Sequence, residues 1–398
     1  MKVSMVNTEK NRGGAARMAS LLAKTMNEKC SDIEAILYHN QDNIIDNCYY
    51  GLKYPFSNYV NALLARIGGS ECVYDFSFSE KIISLTRDAD IIHVHNLHGY
   101  YLNWKKLLSS VLDKPILWTW HDQWGATGRC GFAIDCENWK SGCRVCPHMD
   151  YYPSAWFDFA SSEFKAKSEI YKSVKNLHIV SPSQWLADIA IDRGINPEQV
   201  SVIPNPVDVS SYVKYDKQQA RDKLNLPKDK YIALFLAADC NDPRKGYDDF
   251  VESVKGLSIT PLVVGIEPVK RHDGFIYAGE TRSQAKLSLY YSAADVMVFT
   301  SKADNYPNTI IECLICGTPV CAFSVGGVPS QLHKELCHLV EFGDIPALRN
   351  YIEIQSSGVG KTLDVSKELQ NYAKSMWSGD IIANKYLDLY KKLLTKNS

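Results

Sequence analysis

Two carboxylates eight positions apart, Asp304 and Glu312, bracket the stretch Thr300–Pro319, which reads TSKADNYPNTIIECLICGTP. A strand ending near Thr300 and a helix capped by Asn308 would put Glu312 in the first helical turn, where the dipole favours a carboxylate. Asp304 would sit on the loop before it, giving a polar turn with two acceptors, suited to cradling hydroxyl groups. Dipole compensation alone also accounts for Glu312. A second group, Arg244-Lys245-Gly246, follows the first strand of the second half and precedes a helix. Two cations there can neutralise a diphosphate, and a solvated basic dipeptide is the plainer reading. Gly13-Gly14 follows the first strand and opens a helix, so backbone can approach an anion at that helix's N-terminus. A simple strand-to-helix turn uses the same residues. The fingerprint G-x-G-x-x-G is absent, which counts against a nicotinamide or flavin enzyme.

His93, His95 and His98 cluster at the end of one strand, and His121-Asp122 at the end of the next. His-x-His can ligate metal, but in a strand those two side chains share a face, and simple packing is the plainer reading. His121 ends a buried-looking strand and reads as a ligand-contacting side chain. Asp88-Ala89-Asp90 has the form of a metal-holding D-x-D, yet it precedes a strand and so reads as a loop on the far edge of the sheet. Cys130, Cys136, Cys143 and Cys146 are four of twelve cysteines within one loop, spaced C-x5-C-x6-C-x2-C, with His148 just beyond. Thiolates at this density suit a structural zinc ion, with disulfides or free thiols, or a redox role, as the alternatives.

These groups need a scaffold, and the hydrophobic pattern supplies one. Short β-branched runs alternate with amphipathic stretches, the pattern of parallel βαβ units. Strands are expected at Val3–Asn7, Ile33–Tyr38, Ile91–His95, Ile116–Trp120 and Leu177–Val180. The second half repeats them at Tyr231–Ala237, Leu262–Val264, Phe275–Ala278, Val296–Phe299 and Val320–Phe323. The run Val202-Ile203-Pro204-Asn205-Pro206-Val207-Asp208 reads as a rigid linker, because its prolines bar both helix and central strand. Three segments follow: 1–203 with a cysteine-rich insertion at about 125–150, then 204–376, then a final helix within 377–398 that packs back on the first. Two doubly wound units joined this way are expected to face each other across a cleft at their strands' carboxyl ends. The segment Tyr54–Ile67 reads as a core-facing helix, with a membrane-leaning acceptor surface as the second reading.

The chain has 398 residues, too many for one ordinary core. Its 44 Lys+Arg against 45 Asp+Glu leave a formal charge of −1, which gives no footing for a nucleic-acid partner. The longest apolar run, Ile232–Ala238, is far short of a membrane span, and the N-terminus has no long apolar stretch. A cytoplasmic protein is expected, with contact at the inner face of the membrane left open.

Together these segments resemble a retaining glycosyltransferase of family four with the two-Rossmann GT-B fold. The resemblance rests on Gly13-Gly14, Ile91-Ile92-His93-Val94-His95, Ser181-Pro182-Ser183, Ile203–Asp208, Arg244-Lys245-Gly246, and Asp304 to Glu312 followed by Cys316-Gly317-Thr318-Pro319-Val320. The cysteine-rich loop after His121-Asp122-Gln123-Trp124 is similar to a subgroup making capsular, exopolysaccharide or colanic-acid-like polymers. The resemblance implies that a UDP- or GDP-linked sugar donates to a saccharide acceptor, possibly lipid-linked, without a catalytic metal. It gives the diphosphate to Arg244 and Lys245, the ribose to Glu312, and the donor sugar to His121, Asp304, Asn305, Tyr306, Pro307, Asn308 and Thr309. Gly13 and Gly14 would flank the phosphates and acceptor. The family's usual Glu-x7-Glu begins here with Asp304, whose shorter reach alters that contact. The alternatives are a nucleotide-sugar epimerase or other GT-B enzyme, or a non-catalytic sugar-nucleotide-binding protein.

Overall fold

The computed structural model describes residues 1–43, 45–53, 55–68, 78–358 and 365–396. The chain divides into two compact units, one made of Met1–Pro206 with Gly379–Ser398, the other of Val207–Ser378.

The first unit is built on a parallel sheet of seven strands: β1 (Lys2–Val6), β2 (Glu34–His39), β3 (Tyr49–Gly51), β4 (Ile91–Val94), β5 (Ile116–Thr119), β6 (Leu177–Ser181) and β7 (Val200–Val202). Their order across the sheet is β3-β2-β1-β4-β5-β6-β7. The chain therefore winds outward one way from β1 and then the other way from β4. Central strands such as β4 and β5 are buried along their whole length, because helices cover both faces of such a sheet. That burial is why they read as continuous apolar runs rather than alternating ones.

The second unit repeats the plan with six parallel strands: β8 (Ile232–Asp239), β9 (Thr260–Ile266), β10 (Ile276–Tyr277), β11 (Val296–Phe299), β12 (Val320–Phe323) and β13 (His338–Val340). Their order, β10-β9-β8-β11-β12-β13, reverses direction between β8 and β11. Beyond the ten strands expected from the pattern, β3, β7 and β13 appear, each three residues long. All three are sheet edges, where pairing on one side suffices to define a strand too short for any periodicity to show.

The last helix, Gly379–Lys396, belongs to the first unit and fills one face of its sheet. Ile382, Tyr386, Tyr390 and Leu393 pack there with Met18, Leu22 and Met26 of the helix Gly14–Lys29. Both tyrosines reach polar groups beneath the sheet. Tyr390 Oη lies 2.7 Å from His93 Nδ1, and Tyr386 Oη lies 3.1 Å from Thr119 Oγ1. Thr119 Oγ1 in turn sits 2.8 Å from His93 Nε2. Both ring nitrogens of a fully buried histidine are thereby matched, as a buried polar group requires.

The helix Pro55–Gly68 differs from the core-facing expectation. Phe56, Tyr59, Leu63 and Ile67 are exposed, and among the described side chains the buried ones are Asn61 and Ala65. Small and amide groups face inward because Asn61 Nδ2 donates to the carbonyl of Tyr100, an approach a large apolar side chain would block. Tyr54, the first residue of that segment, lies outside the described residues. Among the described residues no helix is long and apolar enough to cross a membrane.

Replacing Tyr390 with Phe should lower the unfolding free energy by about 1–3 kcal/mol, because His93 Nδ1 is left buried without a partner. Urea denaturation followed by circular dichroism measures it. An unchanged midpoint would show that the tyrosine hydroxyl does not hold that ring.

Candidate active site

In the second unit, the loops leaving β8 and β11 lie side by side at the point where strand order reverses. A crevice opens at such a point because the two chain segments depart to opposite faces. Pro243–Lys245 forms a single 3-10 turn capped by Asp242, whose Oδ1 accepts from Arg244 N at 3.0 Å. Gly246 then turns left-handed at φ 70°, and a Cβ there would meet the Thr300 carbonyl oxygen at 2.0 Å. Only glycine permits that approach. The two loops are strapped together by Lys302 N donating to Arg244 O at 2.7 Å and Thr300 Oγ1 donating to Gly246 O at 2.7 Å. Ser301 Oγ adds a bond to Arg244 O at 3.1 Å.

This strapping converges two cations on one carboxylate. Asp304 Oδ2 accepts from Lys245 Nζ at 2.6 Å, from Arg244 Nη1 at 3.2 Å and from Ser301 Oγ at 3.3 Å. Arg244 is aimed further by the Ala303 carbonyl at 2.9 Å and by Asp242 Oδ2 at 3.2 Å. Burial alone would raise the Asp304 pKa, but Lys245 and Arg244 overcome it and hold the carboxyl below its ordinary range. The corner thus carries the two cations Arg244 and Lys245 and the two carboxylates Asp304 and Asp242, on loops that backbone bonds strap together.

The helix after this loop begins at Asn308, one residue earlier than expected, with Pro307 as its N-cap and no side-chain cap bond. Glu312 consequently lies beyond the first turn. It is buried, and its Oε2 accepts from Tyr291 Oη at 2.9 Å. Tyr306 and Pro307 also turn inward. The Tyr306 hydroxyl accepts from Trp377 Nε1 at 2.8 Å, and the Pro307 carbonyl accepts from Gln331 Nε2 at 3.1 Å. Asn305 is buried, while Asn308 and Thr309 are half-buried at the helix start. Arg244, Lys245 and Asp304 are therefore in direct contact, whereas Tyr306 is tied into the core and Glu312 to a buried tyrosine.

The first unit has its own reversal point between β1 and β4. A cavity of about 370 Å³ opens there, lined by Asn7, Thr8, Glu9, Arg12, Asn96, His98 and Tyr152 among others. Gly13 lies next to it with φ 90°, and a Cβ on it would meet open space, so the backbone angle rather than crowding calls for glycine. Glu9 Oε2 is buried without a hydrogen-bond partner among the described residues. Burial raises its pKa, partly offset by Arg12. His98 Nε2 meets Asp122 Oδ2 at 3.0 Å, and its Nδ1 faces Tyr152 Oη at 3.3 Å. Asn7, Glu9, Arg12, Asn96 and Tyr152 were missed from sequence. The signal that finds the first four is topological: strand order names β1 and β4 as the reversal pair, and Asn7, Glu9, Arg12 and Asn96 follow their carboxyl ends, whereas Tyr152 arrives from the loop between β5 and β6.

His121 is partly buried at the end of β5. Its Nε2 lies 3.1 Å from His95 Nδ1, with the rings stacked. Burial pulls its pKa down to about 4, an effect Asp122 opposes and His98 reinforces. His93 and His95 are likewise held well below the ordinary value by burial. Asp90, of the D-x-D, accepts from Lys2 N at 2.7 Å at the sheet's opposite edge. The four clustered cysteines all line one small pocket, and burial pushes Cys130 up to about 11 and raises Cys143. Protonated thiols of that kind are poor nucleophiles. Among the described residues no group of three or more His, Cys, Asp or Glu is placed to hold a metal ion, so these four cysteines, all described, do not fit the zinc expected of them.

Against known proteins, residues 12–211 match the model described as Glycosyltransferase Family 4, and residues 230–354 match Glycosyl transferases group 1. The chain is 27% identical over 351 residues to a putative colanic acid biosynthesis glycosyl transferase of Escherichia coli, covering 84% of each chain. Among solved structures it is similar to a sucrose-phosphate synthase from Thermosynechococcus elongatus, with a TM-score of 0.71 at 18% identity over 99% of each chain. It is also similar to Anabaena HepE in complex with UDP, with a TM-score of 0.68 at 15% identity, covering 98% of this chain and all of that one. These structures share the GT-B fold of two Rossmann-like units.

A base whose pKa is depressed by folding binds its proton more readily unfolded. Stability from the three histidines is therefore present above pH 6.5 and lost as pH falls below it, for His121 down to about 4. In carbon-13 NMR of the histidine rings, His121 should remain neutral down to about pH 5. A midpoint near 6.5 would contradict the buried stack.

Proposed function

The chain belongs to Glycosyltransferase Family 4, and from that premise we propose that it moves a sugar from a nucleotide sugar to a saccharide acceptor, with retention at the anomeric carbon and no catalytic metal. The observation that carries this reading is the convergence of Arg244 and Lys245 at the strand-order reversal of the second unit. A diphosphate carries the charge that such a pair takes, and a crevice of this kind is where doubly wound sheets hold nucleotides.

Arg244 and Lys245 hold the diphosphate and stabilise the charge that grows on it as the glycosidic bond breaks. They do this work without a metal ion because two fixed cations supply the same electrostatic help. Asp304 keeps both cations charged and aimed, and with the Asn305–Thr309 backbone it faces the donor sugar. Glu312 serves the ribose once its carboxylate exchanges Tyr291 for a sugar hydroxyl. The transition state is oxocarbenium-like, and the acceptor hydroxyl attacks from the face the nucleotide leaves. A departing phosphate oxygen takes the acceptor's proton, so no protein nucleophile takes part. His121, held neutral at physiological pH by burial, offers a ring nitrogen to a sugar hydroxyl without adding charge at the first unit's strand ends.

The acceptor belongs in the first-unit cavity. Glu9 Oε2, buried and unmatched among the described residues, is satisfied by a hydroxyl donor, and Asn7, Asn96, His98 and Tyr152 offer the mixed polar and aromatic lining that suits a saccharide. The named role of the Escherichia coli relative and the UDP bound to HepE support a nucleotide-sugar donor, UDP-linked in the first instance, and a product in surface polysaccharide synthesis.

Arg244→Ala and Lys245→Ala should each lower kcat about a hundredfold to a thousandfold, the effect of losing one preorganised charge-stabilising donor. Nucleotide release from a panel of nucleotide sugars, with and without oligosaccharide acceptors, checks this. The rate should depend on acceptor and survive a chelator, and NMR of the product should show retained anomeric configuration. Acceptor-independent donor consumption would point to an epimerase. Near-normal rates in both variants would refute the assignment of the cations.

A further inference from the structure

We propose that the outward face of the helix Pro55–Gly68, together with Trp156 and Phe157, docks this chain on the surface of an anionic lipid bilayer. Phe56, Tyr59, Leu63 and Ile67 stand at i, i+3, i+7 and i+11, which the helical period gathers into one stripe. Phe56 and Tyr59 are each 79% exposed, and the buried Asn61 and Ala65 lie on the opposite side. A contiguous apolar face turned to solvent marks an interaction surface, because covering it recovers the cost of its hydration.

The patch continues beyond the helix. Trp156 N donates to the carbonyl of Arg66 at 2.9 Å, which holds the loop after Tyr152 against the last helical turn. Ala65 shares a small pocket with Pro153, Ser154 and Ala155 of that loop. Trp156 and Phe157 are exposed beside it, at 62% and 57%.

Residue type and charge choose the occupant. Tyr59 and Trp156 join an apolar ring to a polar atom and suit the level of lipid headgroups, while Phe56, Leu63 and Ile67 suit the acyl boundary beneath. Lys53, just before the helix, and Arg66, in its last turn, are exposed cations, and the helix carries no carboxylate. That charge complements anionic headgroups. A second copy is a poorer match. A twofold contact through this stripe would bring the same cations from both chains into one apolar interface, with no helix carboxylate to pair them. With 14 residues the helix is too short to span a bilayer, so it lies in the plane of the interface.

The place of the patch gives docking a use. Tyr152, on the same loop as Trp156, lines the first-unit cavity and faces His98. On the reading that this cavity takes the acceptor, docking brings it to a bilayer in which a lipid-linked saccharide presents its sugar. Docking itself does not rest on that reading, because it is measured without any sugar.

The test floats the full chain on a density gradient with vesicles of equal parts phosphatidylglycerol and phosphatidylethanolamine, and separately with phosphatidylcholine vesicles. The chain should rise with the anionic vesicles, less so at high salt, and bind phosphatidylcholine about tenfold more weakly. Phe56→Ser/Tyr59→Ser/Leu63→Ser should weaken vesicle binding about tenfold or more, since three apolar side chains no longer enter the bilayer. Lys53→Gln/Arg66→Gln should erase most of the preference for anionic lipid. All five positions are exposed, so circular dichroism and UDP affinity should match the parent chain. If the triple variant fails to fold, Phe56→Ser alone carries the comparison. Flotation without UDP binding supports docking and counts against the transfer reaction, so the two readings fail separately. A parent chain that does not rise with anionic vesicles overturns the proposal, as does a triple variant that floats like the parent. So does a parent dimer, by light scattering, that the triple variant makes monomeric, which would give the face to a second copy.

Discussion

Asp304 beside Arg244 and Lys245 is the contact on which the rest of the second unit depends. Two long cationic side chains at a loop would ordinarily spread into solvent, and holding them costs side-chain entropy. Here backbone meets most of the requirement. Gly246 admits the Thr300 carbonyl at a distance no other residue tolerates, and Lys302, Ser301 and Thr300 bind the two loops into one piece. The sheet order places those loops next to each other, so the fold specifies where the charge stands before any ligand is considered. Preorganised charge of this kind stabilises a developing anion without rearranging at the moment of reaction.

The first unit solves a different problem with the same topology. Its reversal point carries hydrogen-bonding groups of mixed character, and the positive charge of Arg12 stands beside the carboxylate of Glu9. Behind the neighbouring strand ends runs a buried polar series, from Tyr390 and Tyr386 through Thr119 to His93, with His95 and His121 stacked above it. The final helix supplies both tyrosines. That explains why the chain crosses back after the second unit: the sheet's polar interior is completed by residues nearly 300 positions away in sequence.

The central strands were readable because doubly buried strands must be apolar throughout, and the loops after β8 and β11 because glycine, proline and charge interrupt those runs. The three edge strands were not, since three residues with one paired neighbour leave no pattern. Orientation was harder still. The same residues that make Tyr306 look like a sugar contact also let it anchor Trp377, and only the packing distinguishes the two. Asp304 was legible as a site residue, but its pairing with both cations was not, because the strap between loops depends on backbone carbonyls that no side-chain motif records. The unit-one cavity was missed for the same reason: its residues are ordinary by type and become a group only through strand order. The aromatic face of Pro55–Gly68 points outward although its composition suits a core, showing that which face is buried follows from the small residues as much as the large ones.

The central claim is that Arg244 and Lys245 recognise a diphosphate. Calorimetric titration of UDP and GDP, each beside its nucleoside, into the parent chain and the Arg244→Ala/Lys245→Ala variant tests it most directly. The diphosphate that binds best should lose affinity about a hundredfold or more in the variant, given roughly 1.5–3 kcal/mol for each charged hydrogen bond, while its nucleoside binds both chains alike. Equal diphosphate affinity for the two chains would contradict the account.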